Sequence, residues 1–204
     1  MRIINPEQHL ALNNFIMKKI NVQLILLIGL IVNFISCKAQ TLPLNTFMEE
    51  IPSNAYVKDL NNELPPYLGI YKAIYDGKEV TLYITKEDNK LTKVMNKHFY
   101  QDALVVKYIV KNLSGLILQD TYNLSNPKIE IVSMGTDPMQ NIVELFYTGT
   151  HCNVGWGTIY LKKINSTQIS WEYRPNSILT DDCPPGTDKK VYLPVTKDLI
   201  FTKQ

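Results

Sequence analysis

The chain has 204 residues, 21 Lys and Arg against 19 Asp and Glu, and a formal net charge of +2. Three bases and one acid precede Cys37, so the part after it holds 18 of each sign. This length suits a single domain. Because the bases are scattered and no basic stripe forms, nucleic acid is excluded as an expected partner.

The N-terminal segment has the parts of a secretory signal. Met17–Lys19 supplies a basic start, Ile20–Ile35 is an apolar run, and small Ser36 directly precedes Cys37. We predict a lipoprotein signal peptide over 17–36, cleavage before Cys37 and lipidation of that cysteine. The alternatives are a permanent transmembrane anchor and plain secretion. The apolar run is interrupted by polar residues and is short for a transmembrane span. Residues 1–16 are interpreted as a mis-assigned upstream extension.

The residues after the cysteine predict the compartment. An aspartate directly after the cysteine would resemble an inner-membrane retention signal, but Lys38 occupies that position. An acidic cluster within residues 38–41 would resemble a surface-export tag, and these residues contain no acid. We therefore expect a cell-envelope protein held by its lipid in the outer membrane and facing the periplasm.

Residues 37–66 read as a lipidated tether and lead-in, punctuated by prolines, with one helical turn within 45–50. An antiparallel β domain is predicted for 67–204. Its clearest hairpin joins Tyr67–Tyr75 to Glu79–Lys86 through Asp76-Gly77. A three-residue loop would pair Lys72 with Val80 and place the apolar residues Leu68, Ile70, Ile74, Leu82 and Ile84 on one face. This register is favoured over a two-residue turn, which mixes the faces.

Further short strands follow, separated by Gly, Pro and Asn turn signals. They are Ala103–Asn112, Leu116–Thr121, Lys128–Ser133, Ile142–Thr148, Val154–Ile164, Gln168–Tyr173, Val191–Pro194 and Leu199–Lys203. The segment Lys90–Gln101 fits either a short helix or a strand. No helical pattern of 10 to 15 residues intervenes, so the fold class is all-β: one antiparallel β-barrel, or alternatively a sandwich.

Several segments carry a family resemblance. They are the run Ser36–Gln40, the block Ile51–Leu64, Tyr108–Asn112, Gly155-Trp156-Gly157 and the ending Leu193–Phe201. The mature chain resembles an uncharacterised family of short secreted lipoproteins from flavobacteria. That resemblance implies origin and compartment and supplies no catalytic residue. The hairpin Gly69–Ile84 also resembles the opening strands of lipocalins, a calycin fold.

Two cysteines remain once Cys37 carries lipid. In an oxidising periplasm the even pair Cys152 and Cys183 predicts a disulfide rather than a metal or redox site, since no Cys-x-x-Cys exists. His98 and His151 are the histidines that follow Cys37, and neither has a second metal-ligating residue at the sequence spacing typical of a metal site. No metal ion and no cofactor are therefore expected.

Aromatic residues supply the candidate binding site. Trp156 lies between two glycines, and Trp156, Tyr160, Trp171 and Tyr173 are candidates to line a ligand pocket. The alternative is that these aromatics are ordinary core or cross-strand pairs.

Catalysis is not expected. The chain contains no nucleophile elbow, zinc-protease motif or phosphate loop, and only strand acids such as Glu79, Glu144 and Glu172 stay open as a carboxylate pair. Two functions follow. The first is a non-enzymatic module that holds a small apolar ligand in the barrel mouth. The second is an envelope protein that binds another protein with its outer surface, around a solid core.

Overall fold

A computed structural model describes residues 40–94, 96–123, 129–176 and 183–204. The proposed upstream extension, the signal peptide and the lipidation site Cys37 lie outside these residues. Within the described ranges no helix is long and apolar enough to cross a membrane.

The described chain contains eleven strands and three short 3₁₀ turns, joined by loops. The turns are Met48–Glu50, Pro65–Tyr67 and His151–Asn153. The strands are β1 Thr41–Pro43, β2 Tyr56–Lys58, β3 Gly69–Tyr75, β4 Lys78–Val94, β5 Lys97–Asn112, β6 Ile117–Asp120, β7 Ile131–Asp137, β8 Ile142–Tyr147, β9 Gly157–Lys163, β10 Gln168–Pro175 and β11 Leu199–Lys203.

Eight of these strands close into an antiparallel barrel. The ring runs β3-β4-β5-β7-β8-β9-β10-β11 and returns to β3. Strands that follow one another in the ring are also neighbours in sequence, apart from the skipped β6 and the closing pair of β11 with β3. The prediction of an all-β, lipocalin-like barrel is confirmed, and a sandwich is not formed. Strand β6 pairs with β5 outside this ring.

The ring is closed by a narrow seam between β5 and β7. Only Val105 and Val132 are paired there as backbone partners. Side chains of Gln101 and Ser133 complete the seam: Gln101 Nε2 donates to Ser133 O at 3.1 Å, and Leu104 N donates to Ser133 Oγ at 2.8 Å. Both side chains are buried, and these bonds satisfy polar groups that a regular ladder would otherwise pair.

The register predicted for the first hairpin is wrong. Tyr75 pairs with Lys78 around a two-residue turn, and Ile74 pairs with Glu79. Asp76 and Gly77 both have positive φ, 47° and 68°, as a type I′ turn requires. The turn therefore overrides the pattern of branched apolar residues.

The consequence of that turn is a change of faces. Tyr71 and Ala73 point inward opposite Leu82 and Val80, whereas Ile70 and Ile74 are 43% and 60% exposed on the outer wall. The aromatic ring of Tyr71 thus contributes more to the core than the two isoleucines.

One other predicted strand is not formed, and the segment that fitted either a helix or a strand forms strands. Val191–Pro194 is not a strand, although Leu193 is buried and Pro194 O accepts a hydrogen bond from Trp171 Nε1 at 3.0 Å. The ambiguous Lys90–Gln101 is a hairpin, the continuation of β4 and β5 beyond the end of β3. We call the paired segments 90–94 and 97–101 the arm.

Residues 40–66, predicted as tether and lead-in, are folded against the barrel from Gln40 onward. Strand β1 pairs in parallel with β2, and β2 pairs in parallel with the arm at Tyr100 and Gln101. We call these paired strands, β1, β2 and the arm, the arm sheet. Leu64 and Tyr67 are buried, and Tyr67 Oη donates to Asn141 O at 2.6 Å.

A buried polar cluster fastens the lead-in to the hairpin. Asp102 is 2% exposed and accepts hydrogen bonds from Tyr56 Oη and from the backbone N–H of Asp59 and Asn89. Lys86 Nζ lies 3.7 Å from Asp102 and 3.8 Å from Asp59. Burial alone would raise the pKa of the Asp102 carboxyl, but these hydrogen bonds and Lys86 together lower it below its ordinary value.

Candidate functional site

The interior of the barrel is filled by large side chains. The fully buried residues include Trp171, Tyr71, Tyr108, Tyr147 and Phe201. The rings of Trp171 and Phe201 lie 5.6 Å apart, and those of Tyr147 and Tyr173 lie 5.9 Å apart in an edge-on contact. Such close aromatic packing is typical of a solid core rather than of a ligand-filled lumen.

Two of the four predicted pocket residues belong to this core. Trp171 is 0% exposed, and Tyr173 is 2% exposed, with its hydroxyl donating to Gly155 O. Burial raises the pKa of Tyr173, and it raises the pKa of neighbouring Tyr147 to about 12. These phenols stay neutral at ordinary pH and act as packing and hydrogen-bonding groups.

The other two lie on the outer wall. Tyr160 points away from the core, with the Arg174 guanidinium 4.9 Å from its ring centroid. The Trp156 ring is 6.1 Å from that of Phe146, and its buried Nε1 has no hydrogen-bond partner among the described residues. The structure therefore does not bring Trp156 and Tyr160 together with Trp171 and Tyr173 in one pocket.

Cys152 and Cys183 form the predicted disulfide, with Cα atoms 5.8 Å apart. The bond links the 3₁₀ turn after β8 to the segment that leads toward β11. Cys152 and Asn153 adopt positive φ, 57° and 58°, so the turn that presents the cysteine has an unusual backbone. The disulfide holds two long connections at the same end of the barrel.

The described residues contain no group of three or more His, Cys, Asp and Glu that could hold a metal ion. His98 and His151 are exposed. Glu144 and Glu172 both pair across the strands with Tyr160, and Glu172 forms an ion pair of 2.7 Å with Arg174. This geometry explains the two acids as members of a charged outer surface.

An apolar cleft lies outside the barrel, beneath the arm. It has a volume of about 410 Å³. Its walls are the arm segment 90–94 and outward-facing residues of and beside β7 and β8, namely Glu130, Val132, Met134, Phe146 and Thr148. We call it the arm cleft.

The arm presents a strand edge to this cleft. All five consecutive residues from Lys90 to Val94 line it. Since successive side chains of a strand point to opposite faces, five in a row indicate that the edge itself borders the cleft. Strand β4 pairs with β3 only as far as Ile84, so within the described chain the edge beyond Ile84 has no strand neighbour.

Two further clefts lie on the outside. One, of about 510 Å³, separates the lead-in at 44–48 from β7, β8 and β9. The other, of about 290 Å³, lies between Tyr67 and the β7–β8 turn and contains Glu63, Asp137 and Lys163. The arm cleft is distinguished from both by its free strand edge.

Sequence reasoning missed the arm cleft. Alternation along β7 and β8 indicates that Val132, Met134 and Phe146 share the outward face, which is an apolar run on a surface expected to be polar. That signal was present, but nothing in the sequence shows that a hairpin 40 residues earlier folds over it.

Comparison with known proteins gives a match at the level of the family. No curated protein and no solved structure matches the chain at a significant level. The predicted membership of an uncharacterised family is supported, whereas flavobacterial origin and lipidation stay predictions. A family model matches residues 17–204, and the chain therefore belongs to a family of unknown function (DUF6705).

Proposed function

We propose that the protein is a lipid-anchored, non-enzymatic protein of the cell envelope that binds an extended segment of another envelope protein in the arm cleft. The single observation that carries this proposal is the free edge of β4 beside an apolar wall. An extended segment that adds to such an edge gains main-chain hydrogen bonds, and alternate side chains enter the apolar cleft.

The filled interior favours this function over a small ligand in the lumen. Trp171, Tyr71 and Tyr108 occupy the space where a lipocalin-like barrel would hold its ligand. On the outside, by contrast, Phe146 of the barrel wall is 39% exposed and Leu91 of the arm is 46% exposed. Covering these two side chains would give apolar contact, and the edge would supply direction and register.

The charged residues around the arm cleft indicate which kind of partner segment would bind there. Lys93 is exposed at the rim of the arm cleft, and Lys90 is already paired with Glu87 at 2.9 Å. Glu130 lies on the opposite wall. A segment with alternating apolar residues and an acidic residue near Lys93 complements this arrangement.

Photo-crosslinking in the cells that produce the protein tests the proposal. A photoreactive phenylalanine analogue at Met134 should yield a discrete adduct with one envelope protein, and the same analogue at exposed Ile74 should not. The Met134 adduct should disappear in a Phe146→Asp background and persist in a matched Ile74→Asp background.

Three results would contradict it. They are equal adducts at both sites, an adduct of two copies of this chain, and native mass spectra in which the purified protein retains a small molecule. The second would indicate self-association through the strand edge, and the third would favour a small-ligand site inside the barrel.

A further inference from the structure

The arm sheet has a second exposed surface, which adjoins the arm cleft and shares Leu91 and Lys93 with it. Cross-strand pairing aligns Leu91 with Tyr100 and Tyr100 with Tyr56, so these three side chains form a row on one face. Leu91 is 46% exposed and Tyr100 is 37% exposed. We call this the arm face, and it comprises Tyr56, Lys58, Leu91, Lys93, His98 and Tyr100.

The charge of the arm sheet is of one sign. Segments 41–43, 56–58, 90–94 and 97–101 contain four lysines and one histidine and no acidic residue. Lys58, Lys93 and His98 are exposed on the arm face, and Lys58 Nζ lies 5.9 Å from the Tyr56 ring centroid. The opposite face carries Phe99 and Val57, which are 0% and 2% exposed, and it also holds the polar side chains of Thr92 and Gln101 and two of the four lysines, Lys90 and Lys97.

The start of the folded chain lies in the same sheet. Gln40 O accepts a hydrogen bond from Tyr56 N at 2.8 Å, and β1 begins at Thr41. Three peptide units separate Cys37 from Gln40, and consecutive Cα atoms are 3.80 Å apart, so the two Cα atoms are at most about 11 Å apart. A lipid on Cys37 therefore holds the arm sheet, rather than the far side of the barrel, at the membrane.

The direction of β1 places Gln40 near the tip of the arm. Strands β1, β2 and β5 run parallel, so their N-terminal ends lie at the same edge of the sheet. Asn54 N donates to His98 O at 2.8 Å, and Tyr100 N donates to Ala55 O at 2.9 Å. His98 and Lys93, which are cross-strand partners, are thus close to the point where the chain leaves toward Cys37.

We propose that the arm face lies on the headgroup region of the bilayer that holds the Cys37 lipid. This inference rests on the proposed lipid anchor. The lipid fixes only the distance of the arm sheet from the bilayer, and the basic and aromatic residues near the attachment point decide which face is turned toward the headgroups. Exposed tyrosine beside lysine suits the polar-apolar boundary, and lysine near the surface is attracted to anionic lipid.

Brominated-lipid quenching tests the orientation on full-length, processed protein in vesicles that contain anionic phospholipid. Tyr100→Trp adds an indole on the arm face. Tyr122→Trp is the matched control, because Tyr122 is 48% exposed and stacks on Tyr83 at 3.9 Å on the barrel wall. The emission that each variant adds to that of Trp156 and Trp171 is measured as a difference from the unmodified protein.

The added Tyr100→Trp emission should lose most of its intensity in vesicles of brominated lipid, and the added Tyr122→Trp emission should lose none. Amine acetylation of the unmodified protein gives an independent readout: Lys58 and Lys93 should be protected on vesicles relative to detergent. Lys107 and Lys162, which are exposed on the barrel wall, should react equally in both.

The mass of the N-terminal peptide and flotation with vesicles report the anchor separately. If the protein is lipidated and floats but Tyr100→Trp is not quenched, or Tyr122→Trp is quenched equally, the orientation is wrong and the anchor stands. If the N-terminal peptide carries no lipid, the anchor is wrong, and the orientation that depends on it falls with it.

Discussion

Replacing Tyr71 by Phe should stabilise the protein, which is an unusual expectation for a fully buried side chain. Tyr71 is 0% exposed, and its hydroxyl has no hydrogen-bond partner among the described residues. A buried polar group without a partner costs about 1–3 kcal/mol of desolvation, and phenylalanine removes only that group. Lys163 and Lys203, each with Nζ about 6 Å from the Tyr71 ring centroid, keep their contact with the ring.

The expected gain is about 1 kcal/mol, or about 2–4 °C in Tm for a domain of this size. Tyr108→Phe is the matched control. The Tyr108 hydroxyl lies 2.9 Å from Gln119 Oε1 and 3.0 Å from Tyr147 Oη, so its removal leaves a half-buried amide and a buried hydroxyl with fewer partners. It should destabilise by about 1–2 kcal/mol. The two substitutions are chemically identical and opposite in predicted sign.

Urea unfolding followed by tryptophan fluorescence measures both free energies, with the slope of the transition reporting whether the denatured state has changed. A loss of stability in Tyr71→Phe equal to that in Tyr108→Phe would refute the reasoning. It would mean that the Tyr71 hydroxyl is hydrogen-bonded in solution, for example to a buried water molecule.

Three other changes have defined outcomes. Replacing Cys152 and Cys183 by serine opens a loop with a sequence separation of 31 and should cost about 3–4 kcal/mol in the chain-entropy model; equal urea midpoints for the two proteins would contradict this. Because the folded-state pKa of Asp102 lies below its ordinary value, its contribution to stability is present above about pH 4 and is lost as the pH falls through the folded pKa. Asp102→Asn should therefore weaken the protein at pH 7 and flatten the fall in the urea midpoint below about pH 4, and an unchanged pH profile would oppose that assignment. Cys37→Ser should abolish incorporation of labelled fatty acid and partition into detergent, and partition equal to that of the unmodified protein would exclude the lipid anchor.

The barrel itself could be predicted because short strands and turn signals recur along the chain without an intervening helix. It was harder to predict which side chains of each strand point into the core. In the first hairpin, Ile70 and Ile74 suggested a buried stripe, yet the positive φ of Asp76 and Gly77 fixed a two-residue turn and turned Tyr71 inward. Local turn geometry has a stronger effect on register than one or two apolar side chains, since an exposed isoleucine is tolerated.

The candidate site could not be predicted because it depends on contacts between distant segments. The pairing shifts between Glu87 and Lys90, and Asn89 adopts a φ of 55°, so β4 carries an irregularity where the arm begins. An irregularity of this kind can redirect a strand, but its bend angle cannot be read from residue types. The disulfide, in contrast, followed from counting cysteines, and the structure places both cysteines within bonding distance.

The seam between β5 and β7 gives the closed ring a preferred place to open. Seven of the eight junctions in the ring are joined by at least two backbone-paired positions, whereas this one has only Val105 with Val132. Local openings are cheapest where few backbone bonds must break, so amide hydrogens near Val132 should exchange before those between β4 and β5. Such an opening would convert the cylinder into a curled sheet whose two new edges flank Gln101 and Ser133. Because Val132 and Met134 also line the arm cleft, a partner bound there would hold the cylinder shut and slow that exchange.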